Sequence, residues 1–151
     1  MHLIFLLACA LALPSAQVKP LPSVYVFTDK ASDDGALKAR EESVKDLKDA
    51  FAGRKKVLVL TDNEDRAEVV VEVLERTSTI PKIRIGITPP NSRVPGVDTP
   101  MRVVRLKVKV TRGDDKTEFT NKNTPFENDN GWESAAADVA KQIEKWMLAK
   151  K

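Results

Sequence analysis

The chain has 151 residues, of which 42% are hydrophobic and 31% are charged, and 25 basic against 22 acidic residues give a formal net charge of +3. This length and composition predict one small globular domain, and the slight basic excess is not the concentrated positive charge of a nucleic-acid-binding protein. The chain contains one histidine, His2, and one cysteine, Cys9, and both lie near its amino terminus.

The amino-terminal segment has the features of a secretory signal peptide. Residues 1–16 include no Lys, Arg, Asp or Glu, and residues 3–13 form one apolar run that is followed by Pro14, Ser15 and Ala16. Such a run is too short to span a bilayer, and small residues after it are typical of a cleavage site. We therefore expect residues 1–16 to be removed, the mature protein to be periplasmic or secreted, and no transmembrane span to remain.

Removal of this segment takes away both His2 and Cys9. A mature chain without imidazole or thiol excludes Ser-His-Asp and Cys-His catalysis, zinc sites built from Cys and His, and disulfide bonds. The sequence therefore predicts no catalytic residue and no cofactor.

Lipid anchoring is the alternative to soluble export. Residues 6–9 (LLAC) resemble the lipobox of bacterial lipoproteins, in which Cys9 would become the lipidated first residue. Only six apolar residues precede Cys9, and the apolar run continues beyond it, whereas a lipobox normally ends the run. We favour soluble export.

The first elements of the mature chain are a leader, a strand and a helix. Residues 17–23 contain two prolines and are expected to be extended. Residues 24–28 (VYVFT) are β-branched and aromatic and predict a buried strand. A helix should follow, with candidate capping oxygens at 32–34 and Gly53 at its end. Its apolar face comprises Leu37, Val44, Leu47 and Phe51.

Further strands are expected before the last helix. Residues 57–61 (VLVLT) are continuously apolar and predict a second central strand. Residues 67–74 fit a helix or a strand, and four valines in five positions favour the strand because β-branched side chains lose freedom in helices. Residues 101–112 alternate between apolar and polar and predict a half-buried strand, with a hairpin turn at 112–115 and its partner at 117–120.

The final element is a helix. Its apolar stripe comprises Trp132, Ala136, Val139, Ile143, Trp146 and Met147. The order strand, helix, strand, strand, hairpin, helix predicts an α+β domain with a mixed sheet of about five strands and two amphipathic helices. This single domain spans 24–151 and includes a Pro-rich insertion at 79–100.

The order of elements and two short phrases resemble a family of envelope domains. The phrases are 67–73 (AEVVVEV) and the Ala-rich helix at 134–146 (SAAADVAKQIEKW). This layout is similar to the amino-terminal domain of the periplasmic Tol translocation protein, and the curli-secretion lipoprotein and small outer-membrane-associated lipoproteins share its general shape. The resemblance implies an envelope-facing interaction domain without catalysis, and it assigns no site residue in this chain.

Two aspartates follow strands of similar sequence, Asp29 after 24–28 and Asp62 after 57–61. If the two strands are parallel neighbours, the carboxylates emerge at one edge of the sheet, where a carboxylate pair holds Mg²⁺. An alternative function is therefore a Mg²⁺-dependent hydrolase or phosphoryl-transfer enzyme. We favour the simpler interpretation, in which each aspartate makes a local turn or caps a helix.

One face of the strand at 101–112 carries the densest cluster of positive charge. We call it the basic strand face, and it comprises Arg102, Arg105, Lys107, Lys109 and Arg112. As a partner-binding surface it suits an acidic envelope protein or an anionic envelope surface, such as lipid headgroups or lipopolysaccharide. The alternative is a solvated face whose charges pair with Glu68, Glu72 or Glu118.

The insertion at 79–100 is the second candidate for partner binding. It contains five of the nine prolines, and Ile83, Ile85 and Ile87 alternate with other residues. A Pro-stiffened apolar loop suits the docking of a partner. It equally suits covering the open side of the sheet.

The aromatic side chains are expected in the core. Trp132 and Trp146 lie fourteen residues apart, close to four helical turns, and so face the same side. Tyr25 and Phe27 share one face of the first strand. Core packing accounts for both pairs without a binding role.

Three functional hypotheses remain. The first is an exported, non-enzymatic interaction domain of the bacterial cell envelope that uses the basic strand face and the insertion. The second is the metal-dependent enzyme built on Asp29 and Asp62. The third is a carrier of a small apolar or anionic ligand, which requires a closed cavity between sheet and helices.

Mass analysis tests the predicted export. Protein isolated from its own cells should begin at or near Gln17, because the apolar run ends in small residues there. A cytosolic product that retains Met1 would contradict the prediction and return His2 and Cys9 to the folded protein.

Overall fold

The computed structural model describes residues 20–30, 34–80, 102–122, 125–126 and 131–149. Its elements are β1 (Ser23–Phe27), α1 (Asp34–Ala52), β2 (Val59–Leu60), β3 (Val69–Thr79), β4 (Arg102–Arg112), β5 (Asp115–Thr120), β6 (Pro125–Phe126) and α2 (Gly131–Ala149). The predicted α+β fold with two helices and a mixed sheet is confirmed. The signal peptide with Cys9, and the isoleucines Ile83, Ile85 and Ile87, lie outside the described residues.

The sheet combines parallel and antiparallel pairs. Its strand order is β2-β1-β3-β4-β5, and β6 pairs with β4 off this path. Strand β1 lies between β2 and β3 and runs parallel to both. Strands β3, β4 and β5 form an antiparallel series. The central positions therefore belong to β1, β3 and β4.

The core lies on one face of the sheet, where both helices pack. Alternate residues of β4 are buried there, namely Val104, Leu106, Val108 and Val110. Leu47 and Phe51 of α1 and Ile143 of α2 join them in one cluster. Each fully buried aliphatic side chain contributes about 1.5–3 kcal/mol, so this layer supplies most of the stability of the fold.

The opposite face of the sheet carries no helix among the described residues. We call it the helix-free face. On its strands β1, β3, β4 and β5 it comprises Tyr25, Phe27, Val70, Glu72, Glu75, Thr77, Thr79, Val103, Arg105, Lys107, Lys109, Thr111, Lys116, Glu118 and Thr120. None of these side chains is fully buried, which follows from the two-residue alternation of a strand that buries its other face.

The prediction of a second central strand at 57–61 was wrong. Strand β2 contains only Val59 and Leu60 and lies at the edge of the sheet. Leu58 is buried and Leu60 packs against the core, whereas Val59 is 51% exposed. The strand ends early because Asn63 caps a 3₁₀ turn, its Oδ1 accepting a hydrogen bond of 2.9 Å from the Asp65 amide.

The strand favoured for 67–74 is confirmed, and β3 extends beyond it to Thr79. A β-bulge between Val73 and Glu75 shifts its register against β4. Val69, Val71 and Val73 face the helices before the bulge. After it, Arg76 stands opposite Leu106 and therefore points into the helix layer.

Arg76 links three elements in that layer. Its Nη1 donates to Ser43 Oγ at 3.1 Å and to Asp46 Oδ2 at 2.8 Å, and Nη2 lies 3.3 Å from Glu42 Oε2. Its guanidinium lies 4.1 Å from the centre of the Trp132 ring. A cation that is only 10% exposed needs such partners, because an unpaired charge at this depth would cost several kcal/mol.

The hairpin from β4 to β5 is confirmed, and its two ends are held differently. Gly113 has φ +58° at the first position of the two-residue turn, which is the geometry of a type II′ turn. At the other end the buried Asn121 side chain accepts from the Leu106 amide at 2.7 Å and donates to the Val104 carbonyl at 3.0 Å. The amide side chain thus continues the ladder where β5 ends.

The two aromatic pairs have different positions. Trp132 and Trp146 pack against the core, as predicted, and Trp146 meets Phe119 edge to face at 6.2 Å. The prediction for Tyr25 and Phe27 was wrong, because they are half-buried on the helix-free face. Their neighbours in β1 fill the valine layer of the core, and alternation sends the two aromatic rings to the other side.

Leu106→Ala tests which face of β4 is buried. It should lower the free energy of unfolding by about 2–5 kcal/mol, because Leu106 is 1% exposed in a close-packed layer. Urea denaturation measures the loss. The matched control is Arg105→Ala on the exposed side of the same strand, which should change stability by no more than about 0.5 kcal/mol. Equal losses in both variants would mean that the register is wrong by one residue.

Candidate interaction surface

Three members of the basic strand face, Arg105, Lys107 and Lys109, lie on the helix-free face with glutamates beside them. The prediction of one common face was wrong for Arg102 and Arg112, because both alternate with these three and so share the side of β4 that carries Val104 and Val110. Lys107 Nζ is 2.7 Å from Glu118 Oε2, and Lys109 Nζ is 3.0 Å from Glu72 Oε2. Each of these two lysines of β4 therefore lies beside a glutamate of a neighbouring strand, Glu118 of β5 or Glu72 of β3. Glu72 and Glu118 are two of the three glutamates that we named as partners if the basic strand face is simply solvated.

The last residue of β4 is also paired. Arg112 forms an ion pair with Glu68, and its Nη1 donates to the Met147 carbonyl at 3.2 Å, near the end of α2. Arg105 is exposed and forms no ion pair within the described ranges. Arg102 is exposed at the start of β4. The positive charges of Lys107, Lys109 and Arg112 are thus each paired with a glutamate.

Beside the paired charges the same face carries an aromatic strip. The rings of Tyr25 and Phe27 stack at 5.7 Å with an angle of 14° between their planes. Val70 is level with Tyr25 on the adjacent strand, and Glu72 is level with Phe27. Aromatic side chains bordered by charges are enriched at the centres of protein interfaces.

Sequence reasoning missed this strip because it assigned both rings to the core. The run at 24–28 is apolar on both faces, so it does not show which side chains point toward the helices. The only signal was size, since small β-branched residues fill the narrow layer under α1 more readily than aromatic rings.

Asp29 and Asp62 do follow parallel neighbouring strands, as the metal hypothesis requires. Their positions are nevertheless offset. Val24 pairs with Leu60, so counting along both strands brings Asp62 level with Val26, three residues before Asp29. At about 3.3 Å per residue this offset is about 10 Å along the strands, too far for both carboxylates to bind one ion.

Each aspartate also has a local partner. Asp29 Oδ1 accepts a hydrogen bond of 2.8 Å from the Lys30 amide. Asp62 Oδ1 lies 3.3 Å from Lys48 Nζ, with its side chain 97% exposed. No group of three or more His, Cys, Asp or Glu side chains that could hold a metal ion occurs in the described part of the chain. The structure thus brings the two strands together but not the two carboxylates.

A pocket of about 240 Å³ lies between the leader and the end of α2. Leu21, Val57, Met147 and Leu148 form apolar walls, and Lys56 and Arg112 are its basic lining residues. The carrier hypothesis requires a closed cavity between the sheet and the helices, and this pocket is elsewhere. It is also below the range of about 300–1,000 Å³ that is usual for ligand sites.

Neither helix in the ranges that the structure describes is long and apolar enough to cross a membrane. No protein-family model and no curated protein matches the chain.

The solved structures to which the chain is similar include those of two lipoproteins. One is the crystal structure of a minor lipoprotein from Acinetobacter baumannii, with 16% identity and a TM-score of 0.42, covering 85% of this chain and 94% of that one. The other is the solution structure of uncharacterized lipoprotein B from Nitrosomonas europaea, with 12% identity and a TM-score of 0.40, covering 87% and 84%.

Titration with Mg²⁺ or Ca²⁺ tests the metal hypothesis. The melting temperature of the mature domain should stay unchanged, because the offset of Asp29 and Asp62 prevents shared coordination. A true ligand at a hundred times its Kd would add about 2.7 kcal/mol to the free energy of unfolding. An upward shift that disappears in Asp29→Asn or Asp62→Asn would contradict the prediction and restore the enzyme hypothesis.

Proposed function

We propose that the chain is an exported, non-enzymatic interaction domain of the bacterial cell envelope. In this proposal residues 1–16 direct export and are removed, and residues 24–151 form the domain. Its partner is another envelope protein, which binds the helix-free face. The observation that carries the proposal is the aromatic strip of Tyr25 and Phe27, which lies half-exposed beside a ladder of paired charges.

The shape of the domain supports binding through this face. Both helices pack on the other side of the sheet, where their apolar residues are already buried. The helix-free face keeps Tyr25, Phe27 and Val70 only half-buried, in register on adjacent strands. A partner that covers them gains roughly 25 cal/mol for each Å² of apolar surface removed from water.

The distribution of charge favours a protein partner over an anionic membrane surface. An anionic surface is attracted by uniform positive charge. On the helix-free face Lys107 and Lys109 each form an ion pair with a glutamate, so this face offers both positive and negative charge to a partner. Complementary charges on a protein can match such a pattern and select one orientation of binding.

Site-specific photocrosslinking in living cells tests the proposal. A photoreactive amino acid is placed at Thr77 or Arg105 on the helix-free face. The matched controls place it at Lys45 of α1 or Lys141 of α2, which are equally exposed. We expect light-dependent adducts with a discrete envelope protein from the first two positions and none from the controls.

Two results would count against this function. Equal adduct formation from the helix positions would show that the helix-free face is not the binding surface. Flotation of the purified domain with anionic lipid vesicles, abolished by Arg102→Glu with Arg105→Glu, would replace the protein partner by an anionic envelope surface. A cytosolic location of the full-length chain would overturn export itself.

A further inference from the structure

Strand β5 forms one outer edge of the sheet. The backbone amide of Asn121 donates to the Leu106 carbonyl at 3.2 Å. Together with the register between the two strands, this bond shows which residues of β5 exchange backbone hydrogen bonds with β4. By alternation, Thr117 and Phe119 face β4, and the backbone N–H and C=O groups of Lys116 and Glu118 point away from it. Within the described ranges no residue bonds to these four outward groups.

The open part of this edge is short and well defined. At one end, Gln142 Nε2 donates to the outward carbonyl of Thr120 at 3.1 Å. At the other end the chain turns at Gly113. The unpaired groups are therefore centred on Thr117. Unpaired strand edges of this kind are templates for a strand of another chain.

The side chains of this edge select one such strand, namely β5 of a second copy. Antiparallel self-pairing through the outward groups allows three registers around Thr117. One places Lys116 opposite Lys116 of the partner subunit, and another places Glu118 opposite Glu118 of the partner subunit. Only the register with Thr117 on the two-fold axis places Lys116 opposite Glu118 of the partner subunit, twice. Opposite charges in facing positions stabilise a strand pair, and like charges destabilise it.

We propose that two copies of this chain associate through β5 in that register and form a two-fold dimer with one continuous sheet. The Glu118 carboxylate, which already lies 2.7 Å from Lys107 Nζ, accepts a second cation in Lys116 of the partner subunit. Such an isologous contact is closed, because each edge is used once and no further copy can add there.

The helices leave room for this contact. Helix α2 packs over β4 and β5. With neighbouring strands about 4.8 Å apart, the two copies of α2 come to lie roughly 10–14 Å from each other across the axis, so their side chains meet without overlap of the backbones. The two helix-free faces then lie side by side on the same surface of the dimer.

Sedimentation velocity of the mature chain, over a wide range of concentration, tests the proposal. The unchanged protein should show a monomer–dimer equilibrium. Lys116→Glu and Glu118→Lys should each raise the Kd of the dimer by roughly tenfold or more, because both facing pairs then carry like charges. Lys45→Glu is the control, since it makes the same charge change as Lys116→Glu on α1, away from this edge, and should leave the Kd unchanged.

A mixing experiment makes the test specific to the register. In a mixture of the Lys116→Glu and Glu118→Lys variants, the acidic pair of one chain faces the basic pair of the other, so the mixture should form a heterodimer that neither variant forms alone. Melting curves of each variant confirm that it is folded. A protein that stays monomeric, single variants that dimerise as the unchanged chain does, or a mixture that does not associate would each overturn the proposal. None of these outcomes depends on whether the helix-free face binds an envelope protein.

Discussion

The constraint on which this structure depends is that the sheet has only one apolar face. In β4 every second residue from Val104 to Val110 is fully buried, and the residues between them are polar. Both helices must therefore pack on the same side, because only that side gives them apolar surface to cover. The other side has to remain compatible with water, which explains why its charges are paired and why its aromatic residues are only half-buried.

The bulge in β3 modifies this layering at one point. Without the extra residue, Glu75 would follow Val73 into the helix layer, and an anion would lie among the carboxylates of α1. The shift brings Arg76 there instead, where Asp46 and Glu42 are available as partners and the Trp132 ring covers the guanidinium. A single irregularity thus converts a repulsive arrangement into a contact that joins the sheet to both helices.

The sequence predicted those elements in which apolar and polar residues alternate regularly, because such a pattern shows which side of the element is buried. Strict alternation in 101–112 and the apolar stripe of the last helix identified β4 and α2 together with their buried residues. The runs at 24–28 and 57–61 are apolar throughout and do not show which side chains face the core. The orientation of Tyr25 and the edge position of β2 could therefore not be derived from them. The bulge, the offset of Asp29 from Asp62 and the ion pairs of the basic strand face depend on register between strands far apart in the chain, which no local pattern contains.

The strand order also determines when each part of the sheet can assemble. Strand β1 comes first in the sequence, and its longest pairing is with β3. The paired residues Val24 and Val69 are separated in sequence by α1 and β2. Strands β4 and β5 and helix α2 are neighbours in sequence as well as in space, and the turn that joins the two strands contains only two residues. Closing such a short loop costs little entropy, whereas the parallel pair must close a long one. We therefore expect the carboxyl-terminal half to form early in folding and the amino-terminal strand to complete the sheet last.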